Sequence, residues 1–426
     1  MGLTAALGAP AFAADAAAQV NSGDTAWVLA SAALVMLMTP ALGLFYGGMV
    51  RQKNVLATIM HSFFLVALVG VQWVVYGYSL AFGPDKWHII GSLSWVGLKN
   101  VTLLPNPDYA ATIPHQAFMI YQAMFAIITP ALITGAFAER MRFKSYVIFM
   151  LLWATLVYDP ICHWVWAPGG WLRNLGALDF AGGTVVHISS GIAALCCAIM
   201  MGKRRGYGRD EIMPHNVTMT VLGAGLLWFG WFGFNAGSAL GAGSLATSAF
   251  VVTNTAAAAA TLSWCLIEGI HRGKPTALGA ASGAVAGLVA ITPASGFVGP
   301  MAAIAIGAVV SLLCYCAIML KSKLGYDDSL DVFGIHGVGG MWGALATGLF
   351  ASKLINSAGN DGLFFGNGSL IVAQLAAIAA VCAYSFIMTF ILLKVVGFVS
   401  PLRVSKDDED VGLDLTQHGE YGYHLS

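Results

Sequence analysis

The chain has 426 residues, of which 58% are hydrophobic and 9% are charged, and its formal net charge is zero. This composition excludes a basic surface for nucleic acid. Its apolar stretches are long enough to cross a ~30 Å hydrocarbon core, which takes roughly 20 helical residues. Ten-residue alternating patterns are absent, so we expect an all-α integral membrane protein whose helices satisfy their own backbone hydrogen bonds.

The first 25 residues precede the first predicted span. They include the small-residue motif Ala11-Phe12-Ala13, which resembles the cleavage site of a secretory signal, although a basic first region is missing. We interpret the segment 1–25 either as a signal-peptide remnant or as an extracellular N-terminal tail.

Hydropathy predicts eleven transmembrane helices within a domain covering residues 26–399. They lie near residues 26–47, 55–81, 114–137, 146–166, 182–202, 217–238, 246–270, 276–293, 297–320, 332–351 and 369–399. Sixteen Lys and Arg residues fall on one side of this arrangement and four on the other. Because cytoplasmic loops carry the Lys/Arg excess, we expect the N-terminus outside the cell membrane and the polar tail, residues 400–426, in the cytoplasm.

Two histidines stand alone inside apolar stretches, His187 in the fifth predicted span and His336 in the tenth. A titratable group at membrane depth is costly unless it faces a cavity or a partner, so each marks a candidate functional site. Either ring alone is equally well explained as a buried interhelical hydrogen-bond former. Together they are more informative, because adjacent neutral imidazoles donate and accept in series.

Each histidine follows a Leu-Asp pair, at 178–179 and at 330–331. Because five is an odd number of spans, a second set of five begins on the opposite side of the membrane, which is the condition for an inverted repeat. We therefore predict a 5+5 inverted repeat that treats Asp179 and Asp331 as equivalent. Each aspartate is also a candidate N-cap of the helix that follows it. The eleventh span stands outside the repeat.

Aromatic and hydroxyl side chains gather at the predicted outer side of the spans: Trp166, Tyr121, Phe125, Phe234 and Ser238. Aromatic faces attract a small cation by ~1–2 kcal/mol once water is partly removed. A hydroxyl oxygen adds a hydrogen-bond acceptor. The set indicates a cation-recruiting vestibule, although an interfacial aromatic belt explains Trp166 by itself and ordinary packing explains either Phe.

Asp159 occupies a position near the outer end of the fourth span where an apolar residue is expected. Two interpretations remain open. Either the carboxylate is salt-bridged at the surface, or it shifts the electrostatic potential of the vestibule.

Six motifs carry a resemblance to a known family: FYGGMVRQKNVL (45–56), GAFAERMRF (135–143), HWVWAPGGW (163–171), GALDFAGGTVVHI (176–188), GWFGFNAGSA (230–239) and DVFGIHG (331–337). They closely resemble the ammonium transporter (Amt/MEP/Rh) family, from about residue 26 to the end of the tail. That resemblance implies a homotrimer of eleven-helix subunits, each with its own narrow apolar pore.

The same motifs imply roles at the outer side. Trp166 and Ser238 match the family's recruitment site for ammonium, with Tyr121 where the family usually has Phe. Phe125 borders that site, and with Phe234 it matches the stacked gate beneath. The pair of Trp166 and Ser238 indicates the Amt/MEP branch rather than the Rh branch.

Deeper in the chain, His187 and His336 match the family's twin histidines, which share a hydrogen bond and line the pore. Asp179 matches a carboxylate near the mouth that supports the structure and deprotonation. We therefore expect that ammonium is recruited, deprotonated and conducted as ammonia through the apolar bore. A further hypothesis is that a hydrogen-bonded chain through the imidazoles carries the proton separately, which makes transport electrogenic. The alternatives are a passive NH3/CO2 gas channel of the Rh kind and an ammonium sensor, for which the tail is too short to hold an output domain.

Catalytic motifs give no support for an enzyme. The sequence has no phosphate-cradling loop with its Lys, no nucleophile elbow and no metalloprotease motif. We expect no cofactor, no metal site and no nucleic-acid partner.

The tail SPLRVSKDDEDVGLDLTQHGEYGYHLS resembles the regulatory C-terminus of the family. By that likeness it docks on the cytoplasmic face, where the trimer binds a PII-type signalling protein. The alternative is a solvated, charged tail.

Overall fold

The computed structural model describes residues 19–423, so the expected cleavage motif at 11–13 lies outside the described residues. The α-helices are α1 (Ser22–Met49), α2 (Val55–Gln72), α3 (Tyr78–Phe82), α4 (His115–Ile133), α5 (Phe143–Trp153), α6 (Asp159–Trp166), α7 (Trp171–Asn174), α8 (Ser189–Met201), α9 (Val217–Ala236), α10 (Ser244–Arg272), α11 (Ala277–Ile291), α12 (Pro300–Leu324), α13 (Gly339–Phe350), α14 (Ser369–Val399) and α15 (Lys406–Val411). Four short strands form two antiparallel hairpins between α3 and α4: β1 (Asp85–Lys86), β2 (Ile90–Gly91), β3 (Pro105–Asn106) and β4 (Ala110–Pro114).

Within residues 19–423, nine helical segments are long and apolar enough to cross a membrane. A tenth, α11, is apolar but shorter, and an eleventh consists of α13 with the π-helical turn before it. Helical segments therefore lie at all eleven predicted positions. Four spanning segments, α9 to α12, lie between α8 and α13. Because four is an even number of crossings, α8 and α13 run in opposite directions, as an inverted repeat requires.

Local sequence signals set several helix ends. The side chains of Asn21, Asn216 and Thr276 accept the backbone N–H three residues ahead, at 2.9–3.0 Å, and so cap α1, α9 and α11. Pro300 opens α12, where its missing N–H removes no helical bond. These caps satisfy orphan amides at the points where helices begin.

Glycines let α1 and α9 pack with their backbones nearly touching. A Cβ at Gly223 would lie 2.4 Å from the Phe45 nitrogen, and one at Gly230 would lie 2.3 Å from the Met38 side chain. Neither position has room for alanine. In a membrane, where lipid is as apolar as the side chains, such close packing is a main source of helix association.

Each helix that follows one of the two histidines begins with a π-helical turn, Gly183–Ile188 before α8 and Phe333–Val338 before α13. The two turns meet through glycine, because a Cβ at Gly191 would lie 2.1 Å from the Gly337 nitrogen. This approach brings His187 and His336, one on each turn, into contact.

The predicted equivalence of Asp179 and Asp331 is wrong. Asp331 adopts a positive φ of 61° and pairs with Lys321 at 2.5 Å, and it caps no helix through its side chain. The backbone N–H of Phe333 instead donates to the carboxylate of Asp328 at 2.7 Å, and Asp328 lies three residues before Asp331. The second Leu-Asp pair therefore resembles the first in sequence, but it occupies a different place in the fold.

The tail packs against the side of the bundle that carries the Lys/Arg excess. The Asp414 carboxylate accepts the amides of Leu56 and Ala57 at the start of α2, at 3.1 and 2.8 Å. Arg403 pairs with Glu409 and donates to the Met201 carbonyl. Most of the described tail is thus held by specific contacts rather than freely solvated.

Candidate functional site

A cavity of about 180 Å³ opens on the predicted outer side. Trp166, Phe125 and Ser238 line its wall, and Asp108 and Arg173 stand among its lining residues. The rings of Phe125 and Trp166 meet edge to face, with centroids 5.7 Å apart. The Ser238 hydroxyl donates to the Phe234 carbonyl at 2.9 Å, which leaves its lone pairs free to accept. Aromatic faces and a hydroxyl oxygen therefore converge on one space.

Contacts behind Trp166 fix its ring. Its indole Nε1–H donates to the Asp179 carbonyl at 2.9 Å, and Arg173 donates to the Trp166 carbonyl at 2.5 Å. The hydrogen bond to Asp179 connects the ring to the segment that leads into α8. The ring therefore forms part of the cavity wall and is not simply one of a belt of aromatic residues at the membrane interface. Arg173 adds a cation beside the cavity that our sequence reasoning did not consider.

Beneath the cavity, two aromatic rings separate the outer space from the interior. Phe125 and Phe234 lie with ring centroids 4.4 Å apart, and each is 1% exposed. A hydrated ion cannot pass between rings in this contact, so passage needs a rotation of at least one side chain.

The two histidines lie below these rings and contact each other. His336 Nδ1 and His187 Nδ1 are 3.2 Å apart, and the rings are nearly parallel, with an interplanar angle of 20°. A hydrogen bond between two neutral imidazoles places one proton between the Nδ1 atoms, so one Nε2 is a bare acceptor and the other carries a proton. Within the described residues, Nε2 of His187 has no hydrogen-bond partner.

Apolar side chains form the rest of the narrow cavity that holds these rings. Its lining residues are Met38, Leu42, Phe45, Ile128, Leu132, Val186, His187, Leu227, Trp231, Phe234, Val285 and His336. An ion entering this space would leave its hydration shell without receiving replacement ligands. A neutral molecule of similar size meets no such cost.

Trp231 lines the narrow cavity that holds the histidines, and the sequence reasoning missed it. Its ring stacks on His187 with a centroid distance of 5.4 Å, and its indole N–H donates to Thr292 at 2.9 Å. The available signal was its spacing from Phe234, because residues three apart share a helix face. Gln122, whose Oε1 is unpartnered within residues 19–423, is a second missed lining residue, in the outer cavity.

Asp179 caps the turn that carries His187. Its carboxylate accepts the backbone N–H groups of Gly182, Gly183, Thr184 and Val185, at 2.7–3.1 Å. Burial raises the pKa of this carboxyl, and the four amide hydrogen bonds oppose that rise. The side chain of Asp179 thus fixes the start of the π-helical turn before α8, and both of its carboxylate oxygens are occupied.

Tyr121 lies behind the outer cavity rather than in its wall. It is fully buried, and its single O–H proton is shared between the carbonyls of Gly233 and Phe234, which lie 2.9 and 2.8 Å from the hydroxyl oxygen. The same oxygen lies 3.2 Å from the Ser238 hydroxyl. The extra hydroxyl relative to Phe therefore positions Ser238 and the end of α9.

The surface salt bridge predicted for Asp159 is wrong, and its effect on the electrostatic potential of the vestibule stays a prediction. The residue is completely buried, it forms no ion pair within the described chain, and it does not line the outer cavity. Its Oδ2 accepts from Gln72 at 2.9 Å, in a polar contact between α2 and α6. The sequence places Asp159 near the outer end of its helix, but it does not give the direction of the side chain around the helix axis. In the structure the side chain points towards α2 and away from the outer cavity.

Comparison with known proteins identifies the family of the chain. The Ammonium Transporter Family matches residues 26–423. An ammonium transporter of Bacillus subtilis is 56% identical over 408 residues, covering 96% of this chain and all of that protein. The crystal structure of Saccharomyces cerevisiae Mep2 superposes with a TM-score of 0.89 at 40% identity, covering 96% of this chain and 93% of that one, and a sensor Amt protein superposes at 0.86 with 30% identity, covering 93% and 98%. This multi-pass membrane protein belongs to the ammonium transporter family and is itself an ammonium transporter.

Proposed function

We propose that the protein recruits ammonium at the outer cavity, removes a proton and conducts ammonia through the histidine-lined pore. The observation that carries the proposal is a directly bonded imidazole pair inside an otherwise apolar bore. The outer cavity supplies cation–π attraction from Trp166 and Phe125 and an acceptor oxygen from Ser238.

Deprotonation accounts for selectivity. One N–H bond of ammonium breaks, its electron pair stays on nitrogen as the lone pair of ammonia, and the proton passes to water in the outer cavity or to an imidazole nitrogen. Potassium has no proton to lose, and carrying its charge into the bore meets an idealised desolvation cost of order 20 kcal/mol. Ammonia then donates to the bare Nε2 and accepts from the protonated one. Proton transfer along the imidazole pair makes transport electrogenic.

Paired current and uptake measurements on reconstituted protein test this proposal. Ammonium pulses on a supported membrane should give a current, and potassium pulses should give none. Substituting either pore histidine, His187→Ala or His336→Ala, should abolish or reduce the ammonium current, or admit potassium, because the apolar bore loses its paired proton carriers. His271→Ala, at the end of α10 and outside the pore, is the matched control.

Two other functions predict different results. A gas channel of the Rh kind gives uptake without current. An ammonium sensor, suggested by the sensor Amt likeness, gives ammonium binding without flux. Full potassium-excluding current in both histidine variants would contradict the deprotonation step.

We further propose that the protein is a homotrimer in the plasma membrane, with the N-terminus outside and the docked tail on the cytoplasmic face, where a PII-type signalling protein binds. The Lys/Arg asymmetry and the contacts of Asp414 and Arg403 support the tail's side and position. The mass of the detergent-solubilised assembly tests the trimer. A pull-down in which deleting the tail leaves PII capture unchanged would contradict the tail's involvement.

A further inference from the structure

Each pore histidine is preceded by a buried aspartate at the same distance along the chain. Asp179 lies eight residues before His187, and Asp328 lies eight residues before His336. Asp179 is 9% exposed and Asp328 is 1% exposed. The spacing is shared by these two residues and not by Asp331, which lies only five residues before His336.

The two carboxylates contact the following chain in the same register. Oδ2 of Asp179 accepts the amide of Thr184 at 2.8 Å, and Oδ2 of Asp328 accepts the amide of Phe333 at 2.7 Å. Each amide is five residues ahead, and each belongs to the π-helical turn that carries a pore histidine. A carboxylate in this position fixes where the turn begins and complements the positive end of the helix that follows.

The two aspartates differ in how many of their carboxylate oxygens accept hydrogen bonds. Both oxygens of Asp179 are occupied by amides, whereas Oδ1 of Asp328 has no hydrogen-bond partner within residues 19–423. Burial raises the pKa of Asp328 to about 6; Lys321 opposes the rise and Asp331 adds to it. The titratable groups that act on Asp328 or feel its charge are Lys321 on α12, Tyr326 and Asp331 in the next loop, Tyr46 on α1, Arg140 after α4 and Cys197 on α8.

We infer that Asp328 is a positioning residue for the inner half of the pore, holding the turn of His336 from the cytoplasmic side as Asp179 holds the turn of His187 from the outer side. The inference rests on the proposed transport function. Asp328 acts through the backbone of the turn and touches neither imidazole. A buried carboxylate with one unpartnered oxygen costs folding stability, so its value lies in the geometry that it imposes.

Asp328→Asn tests the inference, with Asp331→Asn as the matched control. Asn keeps one side-chain oxygen for the Phe333 amide but carries no charge, so the turn is held less firmly. In reconstituted liposomes at neutral pH, Asp328→Asn should lower the ammonium current about tenfold, because misplacing a reacting group by about 1 Å costs about a hundredfold and Asn retains one of the contacts that hold the turn. Asp331→Asn should leave it near the wild-type level. The wild-type current should fall as the inner pH drops through about 6, and the Asp328→Asn current should show no such step.

Thermal unfolding separates positioning from a purely structural role. Because the pKa of Asp328 is raised, its contribution to stability is complete below the ordinary value of 3.8 and is lost as pH rises through about 6. Asp328→Asn should therefore unfold at the same temperature as wild type at neutral pH, or higher. An unchanged current and pH profile, or a lost current with a lower unfolding temperature, overturns the inference. A wild-type protein without ammonium current overturns the proposed function instead.

Discussion

At the residue scale, Asp179 shows how one carboxylate fixes the backbone turn that carries His187. The sequence left open whether it caps a helix or tunes the vestibule, and the structure shows four amides on its two oxygens. A carboxylate so fully occupied is poorly placed to accept a proton from ammonium. Its negative charge nevertheless lies behind Trp166, whose indole donates to the carbonyl of the same residue.

Asp179→Ala should destabilise the fold by about 2–4 kcal/mol, because several buried amides lose their acceptor at once. The turn that carries His187 should loosen, and the ammonium current should fall with it. Denaturant or thermal unfolding of the purified protein measures the first effect. Asp361→Asn, an outer-loop aspartate that accepts the single amide of Lys353, should unfold like wild type. Equal stability of Asp179→Ala and wild type would contradict the capping role.

At the scale of elements, the histidine pair depends on two broken helices that approach through glycine. The π-helical turns Gly183–Ile188 and Phe333–Val338 come from opposite halves of the repeat. A side chain at Gly191 would separate them, since its Cβ would lie 2.1 Å from the backbone nitrogen of Gly337. The 3.2 Å bond between the imidazoles is therefore a consequence of backbone packing as much as of the histidines themselves.

Gly191→Ala should lower the unfolding temperature, because overpacking a tight core costs about 1–3 kcal/mol. It should also reduce ammonium current by widening the gap between His187 and His336. Gly225→Ala on α9 is the matched control, since its added Cβ meets nothing within 4 Å and alanine favours helix. A variant Gly191→Ala that keeps wild-type stability and current would show that the two turns have more freedom than this packing implies.

At the scale of the whole molecule, buried ion pairs link distant segments on the side of the bundle against which the tail packs. The Arg204 guanidinium donates two hydrogen bonds of 2.9 Å to the carboxylate of Asp327. It also lies 3.6 Å from the carboxylate of Glu139, which pairs with Arg51 as well. Burial alone would raise the pKa of Glu139, but the hydrogen bond from Arg51 and the charge of Arg204 bring it below its ordinary value. The hydrogen bond and the charge of Arg204 likewise bring the pKa of Asp327 below its ordinary value, against the effect of burial.

Arg204→Gln should destabilise the protein by about 3–5 kcal/mol, because it leaves the buried carboxylate of Asp327 without its ion-pair partner and removes one of the two cations beside Glu139. The neighbouring Arg205 pairs with Asp410 at the exposed surface, so Arg205→Gln should cost less than about 1 kcal/mol. Since the pKa values of Glu139 and Asp327 are lowered, their contribution is present at neutral pH and is lost as pH falls below about 4. Unfolding temperatures across this range should converge for wild type and Arg204→Gln. A constant difference would contradict the assignment.

Sequence alone determined the membrane class, predicted where the helical segments lie and singled out the two histidines that the fold brings together. These follow from properties that are local along the chain, because bilayer thickness sets the length of an apolar run and an isolated histidine stands out within one. The resemblance to the ammonium transporter family rested on contiguous motifs and was confirmed.

Tertiary structure decided which atoms meet. Hydropathy gives depth but not rotation about a helix axis, so Asp159 faces Gln72 instead of the vestibule and Tyr121 lies behind Ser238. A repeated Leu-Asp pair suggested Asp331 as the second cap, whereas the chain folds so that Asp328 reaches the Phe333 amide. Such contacts depend on packing between segments that are distant in sequence, and no pattern within one segment specifies them.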